Sequence, residues 1–248
     1  MSGTSLPKSL ADKTRDRLVN ELQLTEQPGP QGGAWIPLES HAPMAQGSVG
    51  EVRRYTGGGL LHLVSCSIVV PQIGLDSHML FAFTPSETAV PHFTLDSVGA
   101  GGHCAFHLDL IPRLDLGANL AYMDEAFTPL TETCKAGRAI EGLSAAHLDP
   151  RQNAVMSPWM LAHRATPEAF EQIDDTVTAY LDHWLTLLNK GISSDVLDDV
   201  NSEILARRDA RNKAIIFDPA VDKVWNQIGG LIGEESALAL RNLLTMCG

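Results

Sequence analysis

The sequence predicts an α+β fold, a single three-layer α/β/α sandwich with a central antiparallel sheet. Residues 34–112 contain short strand-like runs with no room for crossover helices, so neighbouring strands should pair antiparallel. The second half carries long amphipathic helical patterns, and strands followed by helices are typical of a sheet covered by helices. We expect one domain, with residues 1–33 as an N-terminal helix and linker and residues 34–248 as the sandwich.

The N-terminal segment predicts a short helix over residues 8–24. Its evidence is a four-residue spacing of Leu10, Thr14, Leu18 and Leu22. The run EQPGPQGG that follows, at 26–33, is rich in proline and glycine, which ends the helix and indicates a linker.

The strand block shows two-residue alternation. The stretch 50–71 predicts two strands around a turn at 57–59. In HMLFAFT, Met79, Phe81 and Phe83 share one face and His78 lies on the other. In PHFTLD, His92 and Asp96 share a face. In HCAFHLDL the shared face carries His103, Ala105, His107 and Asp109. The intervening VGAGG predicts a five-residue hairpin loop.

The helical half has four predicted helices. The first begins with Thr166 as its cap and Pro167 at the first helical position, carries an apolar stripe that includes Trp184, and ends at Gly191. The others begin near Ser194, at Asp218-Pro219, and with EESALALRNLLTM after Gly233.

Composition excludes several functions. The net charge of −12 argues against a general nucleic-acid or anionic-membrane binder, since both need a basic surface. The four cysteines are scattered without a C-x-x-C motif, which favours free thiols over a zinc knuckle or a disulfide framework. No apolar run approaches the roughly 20 residues that span a bilayer. We expect a cytoplasmic protein.

Residues 91–116 concentrate histidine, aspartate and glycine, and three chemistries compete for them. A phosphate loop is disfavoured because VGAGG precedes a strand rather than a helix. A metal site of His103 with His107 is disfavoured because four extended residues separate them by roughly 13 Å. His107 with Asp109 and a remote ligand stays open, as does a proton-donating His/Asp pocket. Structural histidines remain the plain alternative.

Four features between residues 78 and 113 resemble a known family. They are His78, the turn TPSETAVP at 84–91, PHFTLD ending at Asp96, and FHLDLIPR at 106–113. Together they are similar to the ferredoxin-dependent bilin reductases and their relative, red chlorophyll catabolite reductase. DLIPRLDL at 109–116, SPWMLAHR at 157–164 and residues 224–247 resemble the chlorophyll-catabolite branch more closely.

The resemblance implies a specific activity. It implies an antiparallel sheet between helices, no bound flavin or metal, and reduction of a linear tetrapyrrole through radical intermediates with electrons from ferredoxin. His78 and Asp96 match the proton-transferring His and Asp. The chain departs from the pattern at VSCSIV, residues 64–69, where some bilin reductases carry His-x-Glu. A non-catalytic tetrapyrrole-binding protein therefore remains an alternative, and a mononuclear metal enzyme using His107 and Asp109 is a second one.

Further side chains are candidates for binding. Arg113, Arg151 and Arg164 suit the propionate carboxylates of a pigment, since a guanidinium binds a carboxylate with two hydrogen bonds. The other candidate pigment contacts are His92, His107 and Trp159, whereas Trp184 on its helical stripe is expected in the core. The densest basic run, a candidate ferredoxin-docking surface, comprises Arg207, Arg208, Arg211 and Lys213. The sequence leaves a homodimer open.

Overall fold

The computed structural model describes residues 5–43, 45–198 and 200–247, in which one nine-stranded sheet has helices on both faces. The strands are β1 Thr25–Gln27, β2 Ile36–Ser40, β3 Gly47–Gly57, β4 Leu60–Val70, β5 Leu75–Phe83, β6 His92–Ala100, β7 His103–Ile111, β8 Leu143–Ala145 and β9 Leu161–Ala165. The helices are α1 Leu6–Glu21, α2 Leu120–Ala126, α3 Thr131–Arg138, α4 Pro150–Val155, α5 Pro167–Glu171, α6 Asp174–Lys190, α7 Ser202–Ile216, α8 Val224–Ile232 and α9 Glu234–Leu244.

The sheet is antiparallel at each pairing of the described strands, as predicted. Its order is β1-β3-β4-β5-β6-β7-β9-β8, and β2 pairs with another part of β3. Strands β3 to β7 follow one another as neighbours, which the short predicted connections required. Strand β9 adds to the edge of β7 and β8 adds to β9.

The glycines of VGAGG close the hairpin between β6 and β7. Ala100 pairs with His103, so the loop is Gly101-Gly102 alone, shorter than the predicted five residues. Both glycines have left-handed φ angles, 57° and 83°, as a two-residue type I′ turn requires. Because a strand follows the turn, no helix N-terminus is available there to hold a phosphate.

Two apolar cores, one on each face of the sheet, confirm the three-layer sandwich. On the first face Leu10 of α1, Phe170 of α5 and Trp184 of α6 pack against sheet residues that include Leu80 and Phe93. Trp184 is fully buried and donates its indole N–H to the Pro91 carbonyl at 2.8 Å, which confirms it as core. We call this the α6 face.

The opposite face, which we call the cavity face, packs against the C-terminal helices. Trp225 and Ile228 of α8 and Leu240 of α9 meet the apolar side chains of β4 and β5, which include Ile68 and Phe81. The predicted alternation of β5 is confirmed, since Leu80 and Phe81 belong to different cores.

Several predicted boundaries are wrong. Helix α1 begins two residues earlier, where the Ser5 hydroxyl accepts from the Lys8 amide, and ends at Glu21. Part of the expected linker is strand β1. The second half is not purely helical, because β8 and β9 extend the sheet. The predicted bounds at residues 1–4 and 248 lie outside the described residues.

Two predicted helices in the C-terminal third begin later than expected. From Ser194 only a short 3-10 turn to Val196 forms, and α7 begins after Asn201, whose side chain caps it by accepting from the Ile204 amide. The helix expected at Asp218-Pro219 begins at Val224. The Asp218 carboxylate accepts from the Ala220 amide at 2.7 Å, a local turn that competes with helix formation.

Within the described ranges no helix combines the length and the apolar character needed to cross a bilayer.

Candidate functional site

A cavity of about 690 Å³ lies between the cavity face of the sheet and the segment that runs from the end of α7 through α8. Apolar side chains form most of its wall, among them Met79, Phe81, Phe217, Trp225 and Ile228. Its polar lining consists of Ser77, Thr94, Asp96, His107, Gln152, His163, Asp222 and Gln227. No lysine or arginine occurs among the described residues that line it. Such a mostly apolar cavity with a few polar groups is typical of a site for an organic ligand.

One row of side chains crosses the sheet at the floor of the cavity. Successive strands place Cys66 beside Met79, Met79 beside Asp96, Asp96 beside His107, and His107 beside Ala162. Directly paired residues of antiparallel strands project to the same side. The row therefore aims a carboxyl and an imidazole at the same part of the cavity.

Asp96 and His107 form the central polar pair of this row. His107 Nδ1 lies 3.5 Å from Asp96 Oδ2. The other atoms of the pair, Asp96 Oδ1 and His107 Nε2, are buried and find no hydrogen-bond partner within the described residues. Buried polar atoms are normally paired, so both atoms are suited to meet a ligand.

The charge around His107 favours its protonated form. Burial by itself lowers the pKa of His107, but the hydrogen bond and charge of Asp96, with the charges of Asp109 and Asp222, outweigh it and raise the pKa. A raised pKa keeps a larger fraction of the imidazole protonated at a given pH, which suits His107 to donate a proton.

Asp222 is the cavity carboxyl that sequence reasoning missed. It stands in the loop between α7 and α8, where its carboxylate accepts from the Val224 amide at 3.1 Å. Burial raises its pKa, and the Asp96 charge raises it further against the lowering effects of that amide and of His107. A loop aspartate before an amphipathic helix looks like an ordinary turn residue, so the sequence carries no signal that separates it from one.

His78 lies on the α6 face, and the structure does not bring it together with Asp96. Its Nδ1 is 3.0 Å from the Ser67 hydroxyl and its Nε2 is 2.7 Å from Asp76, and the side chain is buried. The β5 residue that faces the cavity beside Asp96 is Met79. His78 and Asp96, the predicted proton donors, therefore lie on opposite faces of the sheet, because successive residues of a strand project to opposite sides.

Three predicted site residues instead meet in a buried ion network. Asp209 of α7 contacts His92 at 2.7 Å, Lys213 at 3.0 Å and Arg113 at 3.5 Å, and all four side chains are about 1% exposed. Arg113 also donates to the Thr84 hydroxyl at 2.8 Å and to the Ser86 carbonyl at 2.9 Å. Arg113 and His92 were expected to contact a pigment and Lys213 to dock a partner, but the three side chains neither line the cavity nor reach the surface.

Burial and the neighbouring charges act differently on the members of this network. It lowers the pKa of His92 to about 3, with Arg113 adding to the effect, so His92 is neutral in the fold. Burial opposes the charge of Asp209, but its contacts with His92, Arg113 and Lys213 prevail and lower its pKa. The network therefore holds an aspartate between two cations.

The remaining basic candidates are distributed around the molecule. Arg151 is exposed on α4 and donates to the Ala220 carbonyl at 3.3 Å, beside the loop that carries Asp222. Arg164 is exposed on β9 next to Ala105. Of the predicted docking residues, Arg207 and Arg211 are exposed, and the half-buried Arg208 donates to the Pro112 carbonyl.

Trp159 is a structural residue on the α6 face. Its indole N–H donates to the Thr131 hydroxyl at 3.0 Å, its carbonyl accepts from Tyr180 at 2.6 Å, and its ring packs against Phe127. Trp159, predicted to contact a pigment, does not line the cavity.

A side cavity of about 310 Å³ adjoins the main one and shares Ala146, Leu148, Met160, Ala162 and His163 with it. It is lined by Arg138, whose guanidinium Nη2 donates to the Pro158 and Met160 carbonyls at 2.8 and 2.9 Å. The sequence offered no reason to single out this arginine.

Among the described residues, no three His, Cys, Asp or Glu side chains are grouped so that they could hold a metal ion. Asp109, half of the alternative His107/Asp109 set, accepts at both carboxylate oxygens from Ser157, from its amide at 2.9 Å and its hydroxyl at 2.5 Å. Its oxygens are therefore already used by the protein.

Comparisons with known proteins give a likeness in structure alone. No family model matches the chain, and no curated protein matches it in sequence. Among solved structures it is similar to phytochromobilin synthase from tomato in complex with biliverdin, with a TM-score of 0.73 and 17% identity. The alignment covers 96% of this chain and 82% of that one. At this identity the likeness shows a shared fold, which agrees with the family that the sequence motifs resemble.

Proposed function

We propose that this protein reduces a linear tetrapyrrole, a bilin or an open-chain chlorophyll catabolite, bound in the cavity beside Asp96 and His107. The observation that carries the proposal is this pair, which presents unpartnered buried polar atoms on the floor of a mostly apolar cavity. The shared fold with a protein solved in complex with biliverdin supports the substrate class.

The reaction needs two electrons and two protons for each reduced double bond. Reduced ferredoxin supplies the electrons one at a time, without a flavin or a metal in this protein. The first electron leaves a basic radical anion, which takes a proton from the Asp96–His107 pair, and a second electron and proton complete the saturated bond. A positioned acid with a pKa near the working pH is the best donor for such a step.

Asp222 extends the supply of protons. It lies in the cavity wall opposite the sheet, and its raised pKa makes it easier to protonate than an ordinary aspartate. The chain lacks the His-x-Glu pair of some bilin reductases, and His107 and Asp222 are the groups that would replace it. Asp96 and His107 approach the pigment from the sheet, and Asp222 approaches it from the helical layer.

The charges of the cavity set the orientation of the pigment. The propionate carboxylates of a bound pigment would be repelled by Asp96 and Asp222. No lysine or arginine lines the main cavity among the described residues. Arg138 in the adjoining side cavity is the cation within reach of a bound pigment that extends there. We therefore assign Arg138 to a propionate, with the exposed Arg151 and Arg164 as further candidates outside the cavity.

The exposed arginines of α7 form the proposed docking surface for ferredoxin. Arg207 and Arg211 present two cations on the outer side of α7, the helix that ends at the cavity residues Ile216 and Phe217. Ferredoxins are acidic, so local cations would offset the repulsion from a chain with a net charge of −12. Lys213 is excluded from this surface by its burial.

The test is an anaerobic absorbance assay with ferredoxin, its reductase and NADPH on a panel that includes biliverdin and red chlorophyll catabolite. We expect a shifted visible spectrum on binding and loss of one conjugated double bond on turnover. Asp96→Asn keeps the size of the side chain but removes its titratable proton, so it should bind and stall. Asp76→Asn, on the α6 face, is the matched control and should turn over.

Each outcome of this assay has a meaning. Binding without turnover by the unaltered protein would favour the non-catalytic pigment-binding alternative, for which Met79 beside Asp96 is the supporting observation. No spectral change with any pigment would refute both tetrapyrrole functions. Unchanged turnover in Asp96→Asn would remove Asp96 from the reaction.

A further inference from the structure

The carboxyl of Asp109 is buried behind the cavity wall, close to His107. The two residues share the cavity side of β7, two positions apart, which is about 7 Å along a strand. His107 lines the cavity, whereas Asp109 is 0% exposed and does not. No ligand in the cavity would therefore touch Asp109.

The hydrogen bonds of Asp109 favour its ionised form. Both of its oxygens accept from Ser157, one from the amide and one from the hydroxyl. The Ser157 oxygen in turn accepts from the Trp159 amide at 3.1 Å, so its own hydrogen is the one directed at Asp109. A carboxylate that accepts two such bonds can stay charged even when it is buried.

Three carboxyls from three elements lie near His107: one is 3.5 Å away, one is two positions along the same strand, and one lines the same cavity. They are Asp96 on β6, Asp109 on β7 and Asp222 in the loop before α8. No lysine or arginine offsets them among the described residues of the cavity wall. Of the three, Asp109 is the one that neither a ligand nor solvent reaches, so its charge acts on His107 through a poorly screened interior.

We propose that Asp109 is a positioning residue whose buried carboxylate keeps His107 protonated, so that an imidazolium faces the bound pigment. The catalytic consequence rests on the proposed function, whereas the charge pairing is a property of the ligand-free protein. When the imidazolium gives its proton to the reduced pigment, the neutral ring that remains is recharged more readily beside Asp109. The charge of Asp109 is among the causes that raise the pKa of His107, while burial raises the pKa of Asp109 to about 6 against the lowering effect of His107.

The test measures the titration of His107 by NMR in the ligand-free full-length protein. Its ring signal is assigned by its loss in His107→Gln. We expect the midpoint to fall in Asp109→Asn, which removes the charge, and to fall less in Ser157→Ala, which removes one hydrogen bond and makes Asp109 easier to protonate. Asp16→Asn, an exposed carboxyl on α1, is the control and should leave the midpoint unchanged.

The order of the three midpoints decides the proposal. An unchanged His107 midpoint in folded Asp109→Asn would overturn it, since a purely structural Asp109 would not move that titration. If Asp109→Asn does not fold, Ser157→Ala decides in the same way. In the reductase assay the pH above which turnover declines should move down in step with the midpoint. A protein that shows the NMR order but reduces no pigment would support the charge pairing and count against the proposed function.

Discussion

Replacing Asp209 by Asn tests whether the buried ion network stabilises the fold instead of binding a substrate or a partner. Asp209 is the anion between Arg113 and Lys213, at 3.5 and 3.0 Å, and each of these side chains is about 1% exposed. Asparagine keeps the size and one acceptor for His92 but removes the charge. Two buried cations would then remain without an anion.

The magnitude follows from that burial. Removing one partner of a buried ion pair costs about 3–5 kcal/mol, because the other charge is left uncompensated away from water. For a chain of this size each kcal/mol lowers the thermal midpoint by about 2–4 °C. We therefore expect Asp209→Asn to lower the midpoint by roughly 6–20 °C.

The assay is thermal and urea unfolding, with biliverdin binding measured on the folded protein. The control is Asp16→Asn, whose carboxylate pairs with Arg15 at the surface and should contribute less than about 1 kcal/mol. A double variant with Lys213→Met should recover part of the loss, since it removes one of the stranded cations. A loss no larger than that of the control, or abolished pigment binding at unchanged stability, would refute a structural role for the network.

Three further predictions concern the site and its surroundings. His107→Gln should slow ferredoxin-driven turnover by about 100-fold or more, whereas His78→Gln on the α6 face should stay near the unaltered rate. The reverse result would return the proton donor to His78. Arg138→Met should weaken biliverdin binding about tenfold, as expected for losing a charged hydrogen bond, with turnover at saturation kept. An unchanged Kd would show that Arg138 does not bind a propionate. Because the folded pKa of His92 is about 3, the unfolded chain binds its proton first as pH falls below about 6.5. His92 should then contribute a loss of about 1.4 kcal/mol per pH unit to the free energy of unfolding measured in urea, so the slope between pH 6 and pH 3 should be shallower by about that amount in His92→Gln if that variant folds.

Fold class and strand faces could be read from local patterns. Alternation in HMLFAFT and HCAFHLDL assigned the residues of β5 and β7 to their faces, and the structure confirms the assignment through the two cores. The apolar stripe through Trp184 predicted one helix from Pro167 to Gly191, where the structure has α5 and α6 with a break at Gln172 and Ile173. These features depend on periods of two and 3.6 residues, which a short window of sequence displays.

Helix starts could not be read with the same accuracy. Asp218 and Asn201 use their side chains for local hydrogen bonds that delay α8 and α7. The same residues also suit a helix start one or more positions away, so the sequence leaves several registers open. The early predicted start of α8 assigned the loop before Val224 to a helix, and that loop carries the cavity residue Asp222.

The candidate site was half visible in the sequence. Asp96 and His107 stood in motifs that drew attention, but their partnership depends on the pairing of β6 with β7, which places them side by side. His78 matched a family pattern, but neighbouring residues of β5 project to opposite faces of the sheet, and it is Met79 that faces the cavity. Only the register across strands distinguishes His78 from Met79.

Local sequence patterns were enough to predict the α+β class, the faces of the central strands and the residue types from which a proton-donating site is built. The tertiary structure decided which of these residues meet. It placed Asp96, His107 and Asp222 around one cavity, and it buried Arg113, His92 and Lys213 around Asp209. Periodicity acts over a few residues, whereas these contacts join distant parts of the chain: His92 and Asp209, for example, are 117 positions apart.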